Sequence, residues 1–143
     1  MSAEPVYVHI AKFAVKSIFD GKLKAKLPEL MQKTATKVVE KSRILTTKPP
    51  RDKRAPGFYV DGAVDKIETN ERSGKTYLSG EMVMQLATWP EKKMFAFPTA
   101  KTKFEVEKPD KMQGEVDLLV LSLVKDLMEK QVIKELEKRA KAL

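Results

Sequence analysis

The sequence predicts an α+β fold: a two-layer sandwich of element order β-α-β-β-β-α, with a mostly antiparallel sheet and a long C-terminal helix. Three observations carry this. Apolar and polar residues alternate with strand periodicity near the start and again from residue 58 onward, one amphipathic helical stretch lies between those regions, and the chain closes on an aliphatic run. Strands gathered into a run, with helices before and after, make a segregated α+β layering rather than an alternating α/β one.

The elements follow in order. Val6, Val8 and Ile10 alternate with Tyr7, His9 and Ala11, which predicts a first strand running to about Val15. Asp20 and Gly21 signal a turn, and Pro28 suits an opening helical turn. Leu27, Leu30, Met31, Ala35, Val38 and Val39 then recur at three- and four-residue spacing, which predicts a helix ending near Ser42. A basic, proline-rich loop at 46–56 leads into FYVDGAVDKIE, where Phe58, Val60, Gly62 and Val64 face one way and Tyr59, Asp61, Ala63 and Asp65 the other. TNERSGK reads as a turn, and TYLSGEMVMQLATW as a strand with Leu78, Met82, Met84 and Leu86 on one face. After the PEKK turn, MFAFPTAKTKFEVE is the last strand, and Pro98, which cannot donate to a ladder, predicts an edge position or a bulge there.

Asp110 and Gln113 have the spacing of a capping box before a helix from Val116 to Ala142. Such a helix is roughly 40 Å long at 1.5 Å per residue, whereas a strand of usual length spans about 20 Å. The helix is therefore expected to overrun its sheet. Its residues Leu118, Leu119, Val120, Leu121, Leu123 and Val124 are more than one sheet face covers, which predicts a second polypeptide against them.

At 143 residues with 42% apolar composition, the chain is long enough for one domain, 1–143, with its own core. Lys and Arg number 28 against 20 Asp and Glu, and the resulting charge of +8 suits either an anionic partner or plain solubility. The absence of cysteine excludes disulfides, thiol catalysis and cysteine-based zinc sites. The N-terminal residues lack the pattern of a secretory signal, and VDLLVLSLV is too short to span a bilayer. These features predict a location in the cytoplasm or within a virion or contractile assembly.

The chemical motifs give little to an enzyme. SGKT at 73–76 resembles the end of a phosphate loop, but Thr69 stands where a glycine is needed and a strand follows, so a hairpin turn with Gly74 at positive φ is expected. Asp61 and Asp65 lie about 13 Å apart along one strand, too far to share a cation or act as a glycosidase pair. His9 is the lone histidine and no serine sits in a nucleophile elbow, so His9 is expected to be packed or hydrogen-bonded. No catalytic residue, metal or cofactor is expected. Trp89, Lys92, Lys93, Phe95 and Phe97 interleave rings and charges; the expectation is that Phe95 and Phe97 are core, that Trp89 plugs a hairpin end, and that Trp89 anchors an interface. Lys33, Lys37 and Lys41 form a helical ridge that, with Arg51, Lys53 and Arg54, is a candidate polyanion site, while Pro49 and Pro50 stiffen the loop for a subunit contact.

GFYVDGAVDKIE, YLSGEMVMQLATWPEKKMFAF and the aliphatic closing helix together resemble the small α/β domain of bacterial envelope-assembly lipoproteins, of the curli secretion channel and penicillin-binding-protein activator type. The resemblance implies a non-enzymatic domain that binds proteins or builds rings, as compact α+β subunits of phage and contractile tails also do. The function expected is thus a structural or assembly subunit acting by self-association or docking. Its partner interface would use Leu118, Leu119, Leu121, Val124, Trp89, Pro49 and Pro50, and the alternative is a nucleic-acid-binding module using the basic ridge and loop.

Overall fold

Two long strands set the frame of the computed structural model, which describes residues 4–16, 27–107 and 109–143. In order these are β1 (Val6–Ile10), β2 (Ala14–Val15), α1 (Leu27–Glu40), β3 (Leu45–Thr46), β4 (Gly57–Arg72), β5 (Lys75–Trp89), β6 (Met94–Ala96), β7 (Thr99–Glu105), α2 (Met112–Leu127), a π-helical segment (Met128–Val132) and α3 (Ile133–Lys141). The fold is α+β with a mixed sheet. β4 and β5 form its antiparallel spine, β1 and β2 pair with β4 in parallel, β3 extends β1, and β6 and β7 share the far edge of β5. Among the described residues, no helix is long and apolar enough to cross a membrane.

The alternation read in β4 and β5 holds residue by residue. Phe58, Val60, Val64, Leu78, Met82, Met84 and Leu86 are buried beneath the helices, and their neighbours form the opposite face. The hairpin turn is tighter than the expected TNERSGK loop: β4 runs to Arg72 and β5 resumes at Lys75. Ser73 (φ 54°) and Gly74 (φ 76°) alone make the reversal, and two successive positive φ angles match strand twist. Pro98 does interrupt the last strand, splitting it into β6 and β7 at the sheet edge, with its carbonyl accepting from Met84 N.

Four expectations are corrected. The first strand breaks at residues 11–13, giving β1 and β2, where Phe13 turns into the core. Lys111, not Asp110, is the N-cap of α2, and it makes no side-chain cap bond. The closing helix does not overrun its sheet, because the 16-residue β4 is itself about 50 Å long at roughly 3.4 Å per residue. Nor does its apolar excess await a second chain: Val116, Leu119, Val120, Leu123 and Val124 are buried within the fold, against the sheet and α1. The turn expected at Asp20 and Gly21 lies outside the described residues.

Cross-links set the helical layer in register. Gly80 lies under α2 at the level of Leu119 and Leu123, Gln131 Nε2 donates to Thr99 O at 3.2 Å, and the Arg139 guanidinium lies 3.9 Å from the Phe95 ring centre. α2 and α3 therefore run from the hairpin-turn end of the sheet to the end where β4 begins. α1 ends near the same place, where Ser42 Oγ donates to Glu137 at 2.7 Å. The wide π turn between α2 and α3 keeps Met128, Val132 and Leu136 fully buried.

Candidate functional site

The helices lie on one face of the sheet, and among the described residues the side chains of the other face meet solvent or one another. At the end where β4 begins, Gly57 pairs with Tyr7 on one side and Trp89 on the other, and the parallel register sets His9 beside Tyr59. A Cβ on Gly57 would lie 2.6 Å from the Tyr7 carbonyl oxygen, so only glycine permits this approach. Across the gap the rings close up. His9 stacks on Trp89 with centroids 4.2 Å apart and planes 7° from parallel, Tyr59 lies nearly parallel to both, and Tyr7 meets Trp89 edge-on at 6.1 Å. Lys92 Nζ caps the group, 5.2 Å from the Tyr59 ring and 5.7 Å from Trp89.

Hydrogen bonds hold this ledge. Tyr7 Oη lies 2.9 Å from His9 Nδ1, and Tyr59 Oη donates to Asp61 at 2.8 Å. Burial pushes the His9 imidazole below its ordinary pKa, and the Lys92 ammonium lowers it further. One hydrogen is shared between Tyr7 Oη and His9 Nδ1, and the imidazole tautomer sets which of them donates. Burial raises the pKa of Tyr7; burial, then the bond to Asp61 and its charge, raises that of Tyr59.

Beyond the ledge the open face becomes polar. A groove of about 470 Å³ is lined by Lys12, Lys16, Asp61, Asp65, Val83 and Gln85 among others. Asp65 stands directly across from Glu81, and a bulge places Lys66 (φ 52°) 3.2 Å from the Glu81 carboxylate. Glu81 in turn raises the pKa of Lys66. Asp65 Oδ1 is buried and, among the described residues, has no hydrogen-bond partner. No group of three or more His, Cys, Asp or Glu that could hold a metal ion occurs among the described residues.

The predicted site residues divide. Trp89 closes the end of β5 and belongs to the ledge, and His9 is packed and hydrogen-bonded as expected. Leu119 and Val124, assigned to a partner interface, are fully covered by their own chain, because α2 packs against both α1 and the sheet. Leu121 is half-buried, and Leu118 is 63% exposed. Pro49 is exposed and Pro50 half-buried on the loop. Lys33, Lys37, Lys41, Arg51, Lys53 and Arg54 are all exposed, with Lys41 Nζ 4.0 Å from Glu129. Phe95 packs on Phe58, but Phe97, expected in the core, is 58% exposed at the β6–β7 break. Tyr7 and Tyr59 were not singled out; their strand phase was legible, but the parallel pairing that unites them with Trp89 was not.

No family model matches the sequence, and no curated protein matches it. Solved structures do share its fold. A DUF330-family protein from Xanthomonas campestris superposes with TM-score 0.60 at 9% identity, over 90% of this chain and 82% of its own. A minor lipoprotein from Acinetobacter baumannii gives TM-score 0.54 at 10% identity, over 90% and 94%. The PelC dodecamer from Paraburkholderia phytofirmans gives TM-score 0.50 at 11% identity, over 89% of each chain. The resemblance to the small α/β domains of envelope lipoproteins therefore holds as a likeness of fold. The expectation of a cytoplasmic or virion setting is corrected by the same finding, because lipoproteins recur among these neighbours and point away from both compartments.

Proposed function

We propose that this protein is a non-enzymatic assembly subunit that self-associates through the open face of its sheet. One observation carries the reading: among the described residues, helices cover one side of a broad sheet, and the other side bears a preformed cluster of Tyr7, His9, Tyr59 and Trp89. Rings already ordered by stacking lose little further freedom on docking, and Trp and Tyr are the residues that most often anchor interfaces. His9 is held by Tyr7 and Trp89 rather than aimed at a nucleophile, which supports a binding role over a catalytic one. A fold neighbour that forms a dodecamer adds support. A role for the cluster as a stacking platform for bases draws less, because the rings stack on each other and under Lys92 instead of offering free faces.

Multi-angle light scattering on the purified protein tests this. An oligomer that Trp89→Ala and Tyr59→Asp convert to a folded monomer is the expected result. A wild-type chain that stays monomeric at high concentration would refute it.

A further inference from the structure

Charge is unevenly placed along the molecule. The loop at 47–56 leads into Gly57, which pairs with Trp89, and the turn bearing Lys93 follows Trp89 directly. Arg139, resting on Phe95 beside Phe58, brings the last turns of α3 to the same end. Three segments remote in sequence thus converge on one pole, which presents Arg51, Lys53, Arg54, Lys93, Lys138 and Lys141, all exposed. Of the acids nearby, exposed Glu91 sits on the same turn as Lys93, and four others have partners within the chain. Asp52 Oδ1 accepts from Arg54 N at 2.9 Å, Glu135 pairs with Arg139 at 2.9 Å, Glu137 accepts from Ser42 and Glu40 from Thr47.

We propose that this basic pole docks on an anionic phospholipid surface. The cations are spread over a loop, a turn and a helix end instead of lining a cleft, and the groove described above is lined by other residues. A spread of cations suits a broad layer of phosphate headgroups better than a single small anion. A second copy of the chain is a poorer occupant: at the opposite pole Glu105 is paired with Lys75 at 3.9 Å, and Arg72, Lys103 and Lys111 are interspersed with the exposed acids Glu68, Glu71, Glu107 and Asp110.

Co-sedimentation with vesicles tests this independently of self-association, because the variants leave the aromatic ledge intact. Binding is expected to phosphatidylglycerol-containing vesicles and not to pure phosphatidylcholine, and to weaken with added salt. Arg51→Gln with Lys53→Gln should weaken it by roughly thirtyfold, given the contribution of each cation near an anionic bilayer. Lys33→Gln with Lys37→Gln, which removes the same charge from the flank of α1, should change it less than about threefold. Equal losses from the two pairs would reduce the effect to net charge and overturn the proposal. So would equal binding to neutral vesicles, or retention of a single-stranded oligonucleotide in preference to the anionic vesicles.

Discussion

Alanine placed at Gly57, Gly62 and Gly80 in turn separates backbone constraint from side-chain constraint in this sheet. At Gly57 the new Cβ would lie 2.6 Å from the Tyr7 carbonyl oxygen, a backbone atom held in the β1–β4 ladder, so relief requires β1 itself to move. At Gly80 the nearest atom, at 2.9 Å, is the Leu119 Cδ2 methyl, and at Gly62 the nearest are Met82 Cε and Met84 Cγ at 3.0 Å, all on side chains that turn about their χ angles. Overpacking that side chains cannot absorb costs typically 1–3 kcal/mol, against about 0.4–1 kcal/mol gained because alanine narrows the unfolded ensemble. Gly57→Ala is thus expected to lose about 2 kcal/mol and Gly80→Ala to lie within about 1 kcal/mol of wild type. In urea melts, with m near 1–3 kcal/mol/M for small proteins, the first change moves the midpoint down by about 1 M. Because His9 stacks on Trp89 across Gly57, the fluorescence of Trp89, the single tryptophan, should change in Gly57→Ala and not in Gly80→Ala. A Gly57→Ala protein as stable as wild type, or one less affected than Gly80→Ala, would refute the ranking of backbone over side-chain clashes.

Leu119→Ala, at a position with no exposure, is expected to cost about 2–5 kcal/mol, whereas Leu118→Ser, 63% exposed on the same helix, should stay within about 0.5 kcal/mol; thermal and urea melts check both. The imidazole of His9 has its folded pKa lowered, so the unfolded chain takes up its proton first as the medium is acidified. The stabilisation from the neutral ring is then full above about pH 6.5 and is lost as pH falls from there through the lower folded value. Titration of Trp89 fluorescence should show a transition below pH 6.5 that His9→Phe abolishes; a midpoint at or above 6.5 would contradict burial beside Lys92.

How much of this was legible depended on what each residue pattern encodes. Alternation in 58–64 and 78–86 gave the faces of β4 and β5 because a buried face leaves a period of two whichever neighbour covers it. The same alternation in Val6, Val8 and Ile10 cannot distinguish parallel from antiparallel pairing, so the meeting of His9 with Tyr59 and Trp89 stayed hidden. The run from Leu118 to Val124 reported correctly that more than one side of α2 is dry, but helical spacing does not name the cover; α1 is that cover, and of the apolar residues in the run only Leu118 remains largely exposed. Phe97 misled for a related reason: hydrophobicity suggested core, yet the break at Pro98 turns its ring outward.

The π-helical segment at Met128–Val132 acts as a phase adjuster for the chain's final turns. One added residue rotates everything downstream by about 100° relative to an unbroken α-helix, and it is with this rotation that Leu136 points inward and Arg139 reaches Phe95. A single-residue deletion there would restore an unbroken α-helix while swinging its cationic tail off the aromatic ring. The tail's aim is thus encoded by residue count as much as by residue identity, a constraint that a search for substitutions alone would never detect.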